Sequence, residues 1–301
     1  MILSWLLVII LAYLFFSLAY LGDKLVLAGP PKAISYTFYV GMMNAFALLL
    51  LPFTRLTLPS NLFGWVIADA IVFVLGLYFM FSAVEKFEVS KVMTTVGAVQ
   101  PIFVFILAWL FWGPQVLEKA DVLAFSMLLL GSILISMEKE FKSSLGYIKM
   151  TLIAALMFSF DYIFSKVVYL SVPFLAGLFW MKFLVFIFVL PLLLFKKNRR
   201  DIFNKQNIMG KKTKGLFVFA QSAGGIANIL QAFAISLAPV AVLPIVNSLR
   251  GVQYIFLFLI TLFISAFFPK ILKEEISSSI IIRKIVSIIL IVAGLAILIA
   301  Y

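Results

Sequence analysis

Cysteine and histidine are absent from this chain of 301 residues, and charged residues make up only 12% of it. The first absence removes disulfides, thiol nucleophiles and cysteine-ligated metal sites. The second removes imidazole acid–base catalysis and the remaining zinc-site chemistry. A proton handled inside the chain must therefore ride on a carboxylate. No phosphate-binding loop of the G-x-x-x-x-G-K-[ST] kind is present, so ATP is not the direct energy source. Low-complexity tracts and a soluble domain are missing too. These absences predict a protein with no cofactor and no metal.

What the chain has in excess is apolar side chain. Hydrophobic residues reach 65%, against about 45–50% in soluble domains. Water could not solvate such a surface, so the excess must face lipid. Apolar runs of about 20 residues, each long enough to cross a bilayer core as a helix, recur along nearly the whole sequence. They predict helices over 2–22, 33–54, 62–84, 90–112, 120–137, 146–168, 174–195, 214–236, 240–268 and 280–300. The expected fold class is all-α integral membrane, with the lipid bilayer as its principal partner. The N-terminal run has no basic start and is longer than the apolar core of a signal peptide, so it is expected to be the first span.

The net charge of +12 is not a nucleic-acid signal, because the basic residues sit in short connections between apolar runs. The stretch from Lys196 to Lys214 alone carries eight of the 24 basic residues and is expected to be a loop. Taken alternately, one set of connections holds 19 basic residues and the other, with both termini, holds only Arg55, Lys119 and Lys166. The positive-inside rule then places 196–214 in the cytoplasm and both termini outside it. The expected location is the plasma (cell inner) membrane. Trp5, Trp65 and Trp112 fall at the outer ends, where amphipathic rings favour the interface.

The sequence also repeats. Residues 16–31 and 158–173 share Phe16/Phe158, Ser17/Ser159, Tyr20/Tyr162, Lys24/Lys166, Val26/Val168 and Pro31/Pro173 at a constant offset of 142. A second match aligns Val99-Gln100-Pro101-Ile102-Phe103 with Val252-Gln253-Tyr254-Ile255-Phe256. The chain is therefore read as two five-helix halves, 1–140 and 141–301, forming one integrated transport domain. An odd number of spans per half inverts the second half relative to the first. Inverted repeats characterise many secondary transporters, which hold substrate near the midplane.

Five helices plus five, with an aromatic-Ser…Tyr-x-x-x-Lys end to the first helix of each half, resembles the drug/metabolite transporter superfamily and its EamA-like branch. The segments Phe81-Ser82-Ala83-Val84 and Ala232-Phe233-Ala234-Ile235 fit, each preceding a helix with a polar break at Gln100-Pro101 or Arg250-Gly251. So does Lys182-Phe183, which looks like the basic-aromatic pair of the seventh helix. The chain departs from the family at Gly113-Pro114 with Glu118 four residues on, at Glu274-Glu275 without a preceding Gly, and at Val40-Gly41. The resemblance implies a carrier of amino acids, drugs, metabolites, sugar phosphates or nucleotide sugars.

Four charges lie well inside predicted helices: Asp69, Asp161, Lys182 and Arg250. Each is about 10–15 Å from the outer end of its helix. A charge at that depth costs at least about 2.5–3.5 kcal/mol, so it must be paired or line a wet cavity. The four suggest one polar cluster, either internal salt bridges or a binding site. In the second case Lys182 and Arg250 hold an anionic group of the substrate, and Asp69 or Asp161 carries a coupling proton. Asn247 and Gln253 flank Arg250 at i−3 and i+3 and share its helical face. Asn228 is placed opposite them. Tyr20 and Tyr162 either stack on substrate or pack between helices. Pro101 and Pro244 cannot donate a backbone hydrogen bond, and kinks there would let helices 4 and 9 act as gates.

The leading expectation is a secondary transporter, an exporter or exchanger of a small polar metabolite such as an amino acid or organic anion, and not an enzyme. The coupled species is left open between a proton and a counter-solute, and the assembly between monomer and homodimer. A lipid or lipid-linked flippase is the first alternative. A membrane-embedded lipid-modifying enzyme is a second, disfavoured by the missing His and Cys.

Overall fold

The computed structural model describes residues 2–26, 32–54, 57–87, 89–113, 119–136, 145–203, 211–267 and 278–300. Among them every regular element is helical. The α-helices are α1 (Ile2–Val26), α2 (Ala33–Met43), α3 (Phe63–Val84), α4 (Val89–Trp112), α5 (Lys119–Ser136), α6 (Leu145–Ser171), α7 (Phe174–Val189), α8 (Lys196–Ile202), α9 (Lys211–Leu237), α10 (Leu243–Ser248), α11 (Arg250–Phe267) and α12 (Ser278–Ala300). Nine segments among the described residues are long and apolar enough to cross a membrane, with mean hydropathy from 1.3 to 2.5. Large apolar side chains such as Leu7, Leu110 and Ile282 remain exposed by about 60%. The chain fits an all-α integral membrane protein.

Several expectations need correction. The fifth predicted span is shorter than the rest, its apolar part covering Asp121–Ile135. The supposed loop from 196 begins as α8, and Ile202 packs with Phe38 and Val189. Asp201 pairs with Lys32 and its carbonyl accepts from Ser35 Oγ at 3.0 Å. The second span is not one α-helix. It tightens into a 3-10 helix over Asn44–Phe53, where Asn44 Nδ2 donates to the Val40 and Gly41 carbonyls at 3.0 and 3.3 Å. A side chain that bonds its own backbone competes with the regular ladder. The seventh span likewise ends as a 3-10 turn over Leu190–Leu194, starting at Pro191. Lys166 is no loop residue: it is buried within α6. Trp5, near the start of α1, is packed against protein with 1% exposure. The family-motif carboxylates Glu118, Glu274 and Glu275 lie outside the described residues.

Two compact units are formed. The first takes Met1–Asp23, Ala108–Glu140 and Val218–Tyr301, and the second Lys24–Leu107 and Phe141–Phe217. Each draws on both sequence halves. In the first unit α5 and α12 approach closely through small residues. A Cβ on Gly131 would stand 2.7 Å from Ile291 Cγ1 and 3.0 Å from the Ser287 carbonyl oxygen, and one on Gly294 would stand 2.9 Å from Leu128 Cγ. Lipid is as apolar as leucine, so such close packing is a main source of helix association in a membrane. In the second unit Gly76 lets Phe158 of α6 lie against α3, and Gly41 makes room for Val189 of α7. Glu85, at the end of α3, accepts from the Ala33 N–H at 2.9 Å and so caps α2. A carboxylate there meets both an orphan donor and the positive end of the helix dipole.

The packing predicts that Gly131→Val destabilises the protein by about 1–3 kcal/mol, because the Ser287 backbone cannot yield. Gly225 has nothing within 4 Å of its would-be Cβ, so Gly225→Ala is expected to be neutral or stabilising by up to about 1 kcal/mol. Thermal unfolding of both variants in detergent checks the pair.

Candidate functional site

The ninth predicted span, 240–268, is broken. A 3-10 turn over Val240–Val242 leads into α10, which ends at Leu249 with φ −62° and ψ −3°, and α11 starts at Arg250. Pro244 lies in the first turn of α10, where a missing N–H costs nothing. It therefore does not kink a mid-helix, and the interruption falls five residues later. The chain bridges it with a bond from the Leu249 N–H to the Ile245 carbonyl at 3.0 Å and one from the Val252 N–H to the Leu249 carbonyl at 2.9 Å. Pro101 behaves differently: α4 runs through it as one helix. Beside it Ser159 Oγ, whose one proton is shared with the Ala155 carbonyl at 2.7 Å, lies 3.2 Å from the Gln100 carbonyl, and Gln100 Nε2 donates to the Phe158 carbonyl at 3.3 Å.

Side chains from other helices hold the break. Tyr13 of α1 donates its hydroxyl to the Val246 carbonyl at 3.0 Å, with the Asn247 carbonyl at 3.4 Å. Ser132 Oγ of α5 lies 3.0 Å from the Ser248 carbonyl and 2.7 Å from the Leu128 carbonyl, which share its one proton. Gly251 is small enough to admit Ser132 and Ile291 against the start of α11. Around this point the first unit gathers its polar groups. Arg250 acts electrostatically on Tyr13 and Tyr254, and Gln231 of α9 hydrogen-bonds Tyr13. Asn247 is fully buried, and neither its Oδ1 nor its Nδ2 has a hydrogen-bond partner among the described residues. Gln253 is buried one turn into α11. Asn228, expected to face this stripe, bonds the Gly224 carbonyl of its own helix at 2.8 Å.

The remaining intramembrane charges lie in the second unit, so the expected set of four is divided between units. Asp69 of α3 is 2% exposed, and Asp161 of α6 acts on it electrostatically. Asp69 also accepts from Ser165 Oγ at 3.3 Å. Lys182 of α7 is felt by both carboxyls. Its ammonium stands 4.7 Å over the Phe73 ring and forms no ion pair with either acid. Tyr169, buried, feels the charge of both acids, and its hydroxyl has no hydrogen-bond partner among the described residues. Tyr20 and Tyr162 are buried at 5% and 2% exposure.

Sequence reasoning passed over Tyr13, Ser132, Ser165 and Tyr169. Helical spacing carried a signal for three of them. Tyr13 shares a face with Ser17 and Tyr20, at i+4 and i+7. Ser165 follows Asp161 by four residues, and Tyr169 follows Ser165 by four.

No family model and no curated protein matches the sequence. Among solved structures 29 chains match. One, a crystal structure described only as that of a protein, superposes with a TM-score of 0.66 at 20% identity, covering 98% of this chain and 96% of its own. The likeness shows a shared fold.

Tyr13→Phe strands a buried carbonyl, which costs about 1–3 kcal/mol. The variant is expected to unfold earlier and to exchange backbone hydrogens faster around Leu249. Ser126→Ala, which removes an exposed hydroxyl bonded within its own helix, should stay within about 0.5 kcal/mol. Hydrogen exchange read by mass spectrometry in detergent compares them.

Proposed function

We propose that this chain is a secondary transporter, an exporter or exchanger of a small polar metabolite such as an amino acid or organic anion, working by alternating access. The observation that carries the reading is the interrupted ninth span, with the buried, unpartnered Asn247 amide on one side of the break and Arg250 on the other. Irregular backbone at membrane depth is tolerated only inside protein or along a cavity. Discontinuous helices are where transporters bind their substrates. An unsatisfied buried amide costs about 1–3 kcal/mol, a cost that a ligand carboxylate or phosphate would offset by accepting from Nδ2. Arg250 supplies bidentate recognition of the same group, and the start of α11 adds the positive end of a helix dipole. Gln253, and Lys182 in its own unit, are further candidates for ligand contact.

We place the chain in the drug/metabolite transporter superfamily, EamA-like branch, with ten spans in two inverted repeats. The tenth is α5, whose 18 residues reach about 27 Å, close to the bilayer core. Features of paired helices support the repeat. Ser17 and Ser159 are both fully buried and both donate to their own helix backbone, at 2.6 and 2.7 Å. The second and seventh spans both finish as 3-10 helix containing a proline. With Lys166 inside α6, the basic excess on one face is larger than the sequence count, which favours cytoplasmic placement of 196–214 and external termini in the cell's inner membrane.

Two experiments test this. In detergent, a ligand-stabilisation screen of amino acids, sugar phosphates, nucleotides and lipophilic cations is expected to raise the melting temperature with an anionic compound, because binding stabilises by mass action. Arg250→Ala should abolish that shift. Stabilisation by lipids alone would favour a flippase instead. For topology, the chain has no native cysteine, so Arg200→Cys, exposed on α8, gives a single thiol. It is expected to react with a membrane-impermeant maleimide only after the cytoplasmic face is opened.

A further inference from the structure

The short helix α8 carries four cations in five residues, Lys196, Lys197, Arg199 and Arg200. It follows the seventh span, which ends at Leu194. At about 100° per residue the four cover about 160° of the helix, and Asn198, Asp201 and Ile202 share the rest. The two faces are used differently. Ile202 is buried and packs with Phe38 and Val189. Asp201, the one acid of the helix, is paired with Lys32. All four cations are exposed, and none forms an ion pair among the described residues. The fold thus neutralises the acid and leaves the cations uncompensated. Membrane topology needs positive charge on one side of the bilayer. It does not need that charge sorted onto one face of a folded helix.

Bonds to α2 set the level of α8. The Asp201 carbonyl accepts from Ser35 Oγ at 3.0 Å, and the Ile202 carbonyl from the Tyr39 hydroxyl at 2.8 Å. Both are carbonyls that a helix end leaves without internal partners. Ser35 and Tyr39 lie in the first turns of the span that starts at Ala33, about 3–10 Å from its beginning. The end of α8 is therefore held where headgroups meet acyl chains. Large apolar side chains flank the helix and remain exposed: Leu194 by 81% and Phe195 by 64% before it, Phe203 by 60% after it.

We propose that the basic face of α8 binds the phosphate of an anionic phospholipid, whose acyl chains lie against Leu194, Phe195 and Phe203. The arginines offer a phosphate paired donors, and the lysines add point charges. A zwitterionic headgroup carries its own cation and is the weaker partner. A free phosphate or an acidic polypeptide would leave the flanking aromatic and leucine side chains in water, which a lipid does not. The inference rests on the chain being an integral membrane protein and is independent of the transport reading.

Quenching by brominated lipid tests it. Leu194→Cys gives a single thiol beside α8 in a chain without native cysteine. The full chain, labelled there with bimane, is reconstituted in vesicles of equal parts phosphatidylglycerol and phosphatidylcholine, with bromine on one lipid or the other. Phosphatidylglycerol is expected to be preferred at the label by about tenfold or more. Lys196→Gln with Arg200→Gln should cut that preference at least about threefold. Lys86→Gln with Lys149→Gln removes the same charge from exposed positions elsewhere and should leave it unchanged. The substituted side chains are exposed, so both pairs of variants are expected to melt where the parent does. Equal quenching by the two lipids overturns the proposal, as does an equal fall in both pairs of variants. Loss of the preference on adding inorganic phosphate at constant ionic strength would assign the face to a soluble anion and overturn it as well. The label reports on α8 whatever compound stabilises the protein in the ligand screen.

Discussion

In lipid a backbone carbonyl without a partner cannot turn to water, and the placement of irregular structure in this protein follows from that constraint. The ninth span departs from regular helical bonding at one residue, Leu249, whose N–H still reaches the Ile245 carbonyl. This is sustainable because Tyr13 and Ser132 reach the carbonyls of Val246 and Ser248 from other helices. Those donors need closeness, and closeness comes from Gly251, which has no side chain to keep Ser132 and Ile291 away. A local rule about hydrogen bonds therefore dictates side chains on three helices, α1, α5 and α11, before function enters. The break in turn is what permits an amide and a guanidinium to stand at the end of one helix and the beginning of the next.

The same constraint explains why two buried amides, one in each unit, have such different situations. Gln100 is buried and fully employed, tying α4 to α6 through the Phe158 carbonyl. That is the ordinary use of an amide in a membrane, worth about 0.6 kcal/mol. Asn247 is buried and idle at both ends. The difference is not one of residue chemistry. It marks Asn247 as a group whose partner the fold does not provide, and it is the reason the functional reading centres on the break and not on Gln100, although both sit beside a polar interruption in the sequence.

Span positions were largely legible from the sequence, because an apolar run of about 20 residues has one stable conformation in lipid. The internal structure of the spans was not. Tyr13 looked like one aromatic among the 33 Phe and ten Tyr of the chain, and nothing in its neighbours reveals that it serves a carbonyl 233 residues away. Proline misled in a specific way. Pro244 suggested a mid-helix kink, yet it starts a helix, and the break occurs at Leu249, an ordinary residue whose loosened backbone is stabilised from outside. The depth argument located Asp69, Asp161, Lys182 and Arg250 at one level. Depth along a helix axis says nothing about direction around it, so it could not tell that Arg250 belongs to one unit and the other three to the second.

The absence of histidine gives the acid pair its weight. Of the nine apolar spans among the described residues, two contain a carboxylate, Asp69 in one and Asp161 in the other. Seven spans contain none. If the two acids were incidental, independent placement on separate helices would leave them facing different neighbours, each needing its own cation. Instead both lie in the second unit, where Ser165, one turn beyond Asp161 on α6, donates to Asp69 at 3.3 Å. A structural salt bridge would need only one of the acids and a lysine drawn up against it. Lys182 rests over the Phe73 ring and forms no ion pair with either acid, so it is not the cation of such a bridge.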